Sequence, residues 1–206
     1  MRDQKALGTV IAVALLAVAT CVGIASGQPA GKQPEMTPEQ KAAMEAWMKV
    51  ATPGEGHKVL EPMIGDFKAA MTMWDAPGAA PQQSNGTSEN SWVLGGRFVR
   101  QVLHGDVNGM RFEGLGYTGY DNFKKQYVGA WMDTMGTMMM TMTGSADPSG
   151  KVLTATSTID DITTGKKVVV REVTRIVDAN KHIFEMYGAD PSGKEFKMME
   201  AVYTRK

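Results

Sequence analysis

The stretch that decides the fold is GMRFEGLGYTGYDNFKKQYVGAWMDTMGTMMMTMTG, residues 109–144. Apolar and polar side chains alternate along it with a period of two, which is typical of β-strands that are buried on one face. The step Asp121-Asn122 interrupts this alternation with two residues that favour turns. The stretch therefore predicts three antiparallel strands, at residues 110–120, 126–133 and 137–145.

The same order of strand, short polar turn and strand continues on both sides of this stretch. The sequence Asp-Pro-Ser-Gly occurs at 147–150 and again at 190–193, and both copies are typical turns. Residues 76–85, rich in Pro, Gly and Gln, predict a longer loop. Seven further strands are predicted at residues 66–75, 86–94, 97–105, 151–159, 166–177, 182–187 and 195–205.

About ten strands in series, with no helix between them, close most simply into one antiparallel up-and-down β-barrel, because closure removes the exposed sheet edges. We therefore predict a mainly β protein whose barrel domain spans residues 54–206. A short helical turn at residues 56–64 is expected to lead into the first strand.

The first 27 residues have the composition of an export signal. Cations at positions 2 and 5 precede an apolar run over residues 6–25, and small residues allow cleavage before Gln28. We expect a cleaved signal peptide at 1–27, a periplasmic or secreted product, and no stable membrane insertion afterwards. Two alternatives stay open: a membrane anchor formed by residues 6–25, and lipidation at Cys21.

The composition of the exported part argues against several classes of function. Cleavage removes the only cysteine, so neither a disulfide nor thiol catalysis is expected. It also removes two of the 22 basic and one of the 22 acidic side chains, which leaves 20 and 21. Because these charges nearly cancel, there is no electrostatic reason to expect nucleic acid or an anionic membrane as a partner.

A helix is predicted at residues 37–53, after a flexible linker at 28–36. Thr37 can cap it, Pro38 suits its first position, and Gln40 can complete a capping box. The apolar residues of this helix recur on one face. We expect it to pack on the mouth or wall of the barrel; a helix that binds a partner is the alternative.

Several motifs together resemble the bacterial domain-of-unknown-function family 1579, from about residue 54 to the C-terminus. The middle of the chain carries the most specific of them, GYxGYD followed by YVxxWxD. The family has no established activity, so the resemblance implies domain boundaries and no chemistry. The matching positions are His57, Leu60, Gly65-Asp66-Phe67, Trp74, 94–97 (LGGR), 114–119 (GLGYTG), Tyr120-Asp121, Tyr127, Trp131-Met132-Asp133 and Tyr203-Thr204-Arg205.

A second likeness is to lipocalin-like barrels, in which an arginine near the last strand stacks on a tryptophan of a Gly-x-Trp motif at the first strand. Here Gly65-Asp66-Phe67 is similar to that motif, with Phe67 in place of the tryptophan. The resemblance implies that Arg205 or Arg175 covers Phe67 and closes one end of the barrel.

An apolar pocket with a few polar groups is the usual form of a small-molecule site, and a barrel interior can supply one. On strand 110–120, the face with Phe112 is smaller and more apolar than the face with Arg111 and Glu113. We therefore place Phe112 inside, and Arg111 and Glu113 outside as a solvated pair. The candidate ligand-binding residues are Arg97, Phe112, Tyr120, Tyr127, Trp131, Asp133, Met138 and Met140.

Six methionines fall within residues 132–142. Met138, Met140 and Met142 share one face of the predicted strand, which favours an adaptable apolar wall that lines the core or a pocket. The alternative is a cuprous site, because thioethers are soft ligands.

The three histidines, His57, His104 and His182, lack the spacing of a zinc site. A haem with one of them as axial ligand is a further alternative. Residues His104 and His182 are expected at the surface or the rim of the barrel.

Three functions fit these patterns. The first is a non-enzymatic binder of a small hydrophobic or amphipathic ligand inside the barrel. The second is an enzyme of isomerase or hydrolase type, which needs an ionisable residue deep inside, with Asp133 or Glu89 as candidates. The third is a structural or interaction module whose barrel is filled by its own side chains.

Overall fold

The structure, a computed structural model, describes residues 35–107, 109–161 and 164–206. The predicted signal peptide, Cys21 and most of the predicted linker lie outside the described residues. The chain divides between Thr52 and Pro53 into two compact units. In the described parts of the chain, no helix is both long enough and apolar enough to cross a membrane.

The first unit contains helix α1, Pro38–Ala51. Its capping box is formed as predicted: the Gln40 amide donates to the Thr37 hydroxyl at 3.3 Å, and the Thr37 amide donates to Gln40 Oε1 at 2.9 Å. None of the residues of α1 is buried, and Trp47 is 46% exposed.

The second unit begins with helix α2, Glu55–Lys58, and a 3₁₀ turn, Glu61–Met63, which together confirm the predicted helical turn. Ten strands follow in the described residues. They are β1 Gly65–Met73, β2 Gln82–Val93, β3 Phe98–Val107, β4 Met110–Asp121, β5 Gln126–Asp133, β6 Met140–Ala146, β7 Val152–Asp160, β8 Lys167–Asp178, β9 Lys181–Ala189 and β10 Glu195–Arg205.

These strands form one closed antiparallel barrel in which each strand pairs with its neighbours in sequence. The closing pair is β1 with β10, where Phe67 lies opposite Arg205 and Met73 opposite Met199. Closure gives the backbone of every strand a partner on both sides, so no open edge is left in the sheet. The predicted up-and-down barrel is confirmed.

Two strand boundaries differ from the prediction by three residues or more. Strand β2 starts at Gln82, because residues 82–85, predicted as loop, pair with the end of β1. Strand β6 starts at Met140 instead of residue 137. The chain turns directly after Asp133, whose Oδ1 accepts the Met135 amide at 2.9 Å, so residues 137–139 have no strand opposite them.

The alternation on β4 is oriented as predicted. Phe112 is buried inside the barrel, whereas Arg111 and Glu113 form an exposed pair outside at 3.7 Å. Met110, on the same side as Phe112, is nevertheless 53% exposed because it is the first residue of the strand.

One end of the barrel is closed by α2 and the 3₁₀ turn. Leu60 is fully buried there against Val99, Tyr127 and Leu153. The hydroxyl of Tyr127 donates to the Gly56 carbonyl at 3.0 Å, which ties α2 to strand β5. The turn therefore plugs this end with apolar side chains.

Arg205 seals the same end, as the resemblance to lipocalin-like barrels implied. Its guanidinium lies 4.8 Å from the centre of the Phe67 ring. It donates to the carbonyl oxygens of Ile64 at 2.7 Å, Pro62 at 3.2 Å and Ala179 at 2.8 Å. Arg205, and not Arg175, is thus the arginine that joins the first strand to the last.

Candidate ligand cavity

The barrel interior is not filled by its own side chains. It holds a cavity of about 450 Å³, a volume within the range of small-molecule sites. Aromatic and aliphatic side chains, among them Leu103, Phe112 and Phe184, form part of its wall. Eight methionines also line it: Met63, Met71, Met73, Met135, Met140, Met142, Met186 and Met199.

Trp131 is the largest side chain in this wall. It lies against β4, because a Cβ atom on Gly116 would be only 2.9 Å from the indole ring, and one on Gly114 would be closer still. Its Nε1 donates to Asp133 Oδ2 at 2.8 Å, and the other oxygen of Asp133 accepts the Met135 amide. Two glycines and one carboxylate therefore fix the orientation of the ring.

A second polar group lies on β2 and β3, where the side chains bond one another. Gln101 donates to the Ser88 hydroxyl at 3.0 Å, which donates to Asn90 Oδ1 at 2.7 Å. Asn90 in turn donates to the Met63 carbonyl at 2.8 Å. Burial raises the pKa of the neighbouring Tyr203 to about 12, and a hydrogen bond with Gln101 acts in the opposite direction.

The third polar group is the pair Ser157 and Glu172. The Ser157 hydroxyl donates to Glu172 Oε1 at 2.6 Å, and the two residues are 3% and 4% exposed. Glu172 lines the cavity. Burial raises the pKa of its carboxyl, and the hydrogen bond from Ser157 lowers it by a smaller amount. Burial thus disfavours the charged form of the Glu172 carboxyl.

Comparison with known proteins places this barrel in a family. The sequence profile of the family described as "Protein of unknown function (DUF1579)" matches residues 52–205. The chain belongs to this family. The match covers the whole barrel, and it confirms the resemblance that the motifs carried.

The fold of this DUF1579 member is also found among solved structures. Rv2717c from M. tuberculosis, known from a crystal structure, matches with a TM-score of 0.55 and 14% sequence identity, over 75% of this chain and 99% of that chain. A redesigned beta barrel matches with a TM-score of 0.37 and 12% identity, over 73% of this chain and 95% of that chain. At 14% identity, the match to Rv2717c shows the fold alone. No curated protein matches the sequence.

Five of the eight candidate residues line the cavity of this DUF1579 barrel. They are Phe112, Tyr127, Trp131, Asp133 and Met140. Their placement inside follows the alternation of β4, β5 and β6. Whether they contact a ligand stays a prediction.

The other three candidates do not line the cavity. Arg97 lies in the exposed turn between β2 and β3, where its Nη1 donates to the Leu94 carbonyl at 3.1 Å. Tyr120 packs at the closed end, with its ring 4.9 Å from that of Tyr127. Met138 is 49% exposed in the loop before β6. Their placement in the pocket was wrong. Arg97 and Met138 belong to turns, and Tyr120 is covered by α2.

The same loop changes the interpretation of the methionines. Only Met140 and Met142 of the three alternating methionines line the cavity, while Met138 precedes the strand. The predicted common face of all three is therefore wrong.

None of the three histidines lines the cavity. His57 is buried under α2, where its Nδ1 accepts the Gly54 amide at 3.1 Å. His104 is on the outer face, 3.8 Å from Glu113. His182 was expected at the surface or the rim, but it is 2% exposed, because it stacks on Tyr203 and meets the edge of Phe67.

Glu172 is the site residue that the sequence prediction missed. Glu89, which was named as a candidate acid, is exposed on the outside of β2. The sequence did contain a signal for Glu172. On β8 the cations Arg171 and Arg175 share one face, so Glu172, with Val170 and Thr174, had to lie on the opposite face.

Proposed function

We propose that this protein binds a small hydrophobic or amphipathic molecule inside its barrel. The observation that carries the proposal is the cavity of about 450 Å³ with its apolar wall. An empty space of this size costs a protein packing energy, so it is expected where a ligand fills it.

The methionines in the wall support a binder of this kind. Their side chains are unbranched and polarisable, so they adapt to ligands of different shape. The closed end supports it as well, because the cluster around Leu60 and the bonds of Arg205 cover that end of the barrel. Ligand exchange is expected at the opposite end, near Met73, Val107 and Met135.

The test uses the neutral dye N-phenyl-1-naphthylamine, whose fluorescence rises in an apolar site. Ala155 faces the cavity, so Ala155→Phe inserts a ring into it. Thr156→Phe adds the same ring on the outer face, where residue 156 is exposed, and serves as the matched control. We expect Ala155→Phe to weaken dye binding by roughly tenfold or more, from a steric cost of about 1–3 kcal/mol. Equal binding by both variants would refute an internal site.

We also propose that the binder acts outside the cytoplasm. The basis is the charged and then apolar pattern of residues 1–27 and the small residues before Gln28. Expression of the full chain in a bacterial host, followed by fractionation and intact-mass measurement, tests this. A product in the periplasm or medium that starts at Gln28 is expected. A full-length product in the membrane would support retention of residues 6–25 as an anchor, and a lipid adduct on Cys21 would support a lipoprotein.

A further inference from the structure

We infer that the ligand of this cavity is an amphiphile with a cationic amine head, which Glu172 recognises through the carboxyl oxygen that Ser157 leaves free. This inference rests on the proposed function and names the chemical class of the ligand. The apolar wall accepts the hydrocarbon part, and the buried carboxyl accepts the head.

The charges of the cavity lining favour a cationic ligand. In the described part of the chain, no lysine, arginine or histidine lines the cavity. The ionisable groups in the lining are the carboxyls of Asp133 and Glu172 and the phenols of Tyr127 and Tyr203. A fatty-acid anion would find no cation to pair with, and burying an unpaired carboxylate is costly. Every charge that the lining can carry is negative.

The hydrogen bonds single out Glu172 among these groups. Tyr127 donates to the Gly56 carbonyl, and Tyr203 is hydrogen-bonded with Gln101. Both oxygens of Asp133 are occupied, by Trp131 Nε1 and by the Met135 amide. The bonded set on β2 and β3 is likewise satisfied from Gln101 to Met63.

Glu172 differs because only its Oε1 is bonded within the described chain, by Ser157. Its other oxygen is available at a residue that is 4% exposed and lines the cavity. An ammonium is a donor that matches this acceptor, because a charge-assisted bond in a site of low dielectric is stronger than a neutral one. The carboxyl is protonated more readily when the cavity is empty, and a cationic head would return it to the charged form.

Three ten-carbon probes test the inference at pH 7.5: decylamine and decanoate below their critical micelle concentrations, and decanol below its solubility limit. Each competes with N-phenyl-1-naphthylamine for the wild-type cavity. We expect decylamine, as the ammonium, to displace the dye at a concentration roughly tenfold or more below that of decanoate, with decanol between them.

Glu172→Gln keeps an acceptor for Ser157 and removes the negative charge. It should raise the concentration of decylamine needed to displace the dye roughly tenfold, and it should change the concentration of decanol needed only a little. Glu113→Gln removes one carboxylate from the outer face and serves as the charge-matched control, with no change expected for any probe.

The outcomes separate the two proposals. A wild-type protein that does not bind the dye, or binds it equally after Ala155→Phe, refutes the internal binding site. A protein that binds the dye in the cavity but prefers decanoate or decanol to decylamine keeps the binding proposal and overturns the amine inference. The wild-type ranking decides this even if Glu172→Gln fails to fold. An unchanged decylamine affinity in folded Glu172→Gln would also overturn it.

Discussion

His182 contributes to the pH dependence of the stability of the barrel, and His182→Phe should remove that contribution. The imidazole is 2% exposed, stacks on Tyr203 at 4.5 Å between ring centres, and meets the Phe67 ring at 4.7 Å. Burial, and to a smaller extent the charge of Arg205, lowers the pKa of His182 to about 4. Phenylalanine is an apolar ring of similar shape, so the variant isolates the proton.

The sign follows from proton binding in the two states. In the unfolded chain a histidine has a pKa of about 6.5, so between this value and about 4 the unfolded state binds a proton that the folded state rejects. The neutral imidazole therefore makes its full contribution to the free energy of unfolding above pH 6.5. This contribution is lost as the pH falls from 6.5 to about 4. At about 1.4 kcal/mol per pH unit, the loss reaches about 2 kcal/mol at pH 5 and about 3 kcal/mol near pH 4.

Urea unfolding of wild type and His182→Phe between pH 8 and pH 4.5 measures this effect. The difference between the two unfolding free energies should be constant from pH 8 to pH 7 and should shift by about 2 kcal/mol in favour of the variant at pH 5. His57, whose pKa burial also lowers, and Glu172, whose pKa burial raises, are present in both proteins and cancel in the difference. A difference that stays constant to pH 5 would show that the imidazole is not buried in neutral form.

Two further predictions concern the closed end and the cavity wall. Arg205→Lys should lower the free energy of unfolding by about 2 kcal/mol, because a lysine ammonium cannot replace the planar guanidinium that donates to several carbonyl oxygens. The control Arg111→Lys, on the outer face, should change the free energy of unfolding by less than about 0.5 kcal/mol. Equal urea midpoints for the two variants would contradict the conclusion that the hydrogen bonds of Arg205 stabilise the closed end. Gly116→Ala should cost about 1–3 kcal/mol, because its methyl group would stand 2.9 Å from the Trp131 ring, while Gly136→Ala in the open loop should be near neutral in the same assay. A Gly116→Ala protein as stable as wild type would mean that the indole moves freely.

The sequence was sufficient for the barrel because its evidence is local and repeated. Alternation placed Phe112 inside and Arg111 outside, and the turn residues placed most strand ends within a few positions. It failed at Met138, because alternation of Met and Thr says nothing about whether a neighbouring strand extends far enough to pair. Strand β5 ends at Asp133, so the first methionines of the run have no partner.

The site was less accessible to sequence reasoning because it depends on what the barrel leaves empty. The sequence does not show that Arg97 and Tyr120 lie outside the cavity, because position along the barrel axis is set by register. Glu172 was missed although the alternation of β8 orients it, because a lone glutamate on a strand is usually solvated. Its burial becomes visible only when Ser157 on β7 is known to lie beside it.

The open interior of the barrel depends on a few small residues. Gly114 and Gly116 lie opposite Asp133 and Trp131 in the β4–β5 register, and the indole fills the space that their side chains would occupy. The largest side chain in the cavity lining is therefore part of the wall and does not fill the interior. With the ring held by Asp133, the room that is left is bounded by methionines that a ligand can displace, and by one buried carboxyl that has an oxygen to offer. The glycines thus connect the most specific motif of the sequence to the cavity, because any side chain larger than hydrogen at these positions would push Trp131 into the space that the cavity occupies.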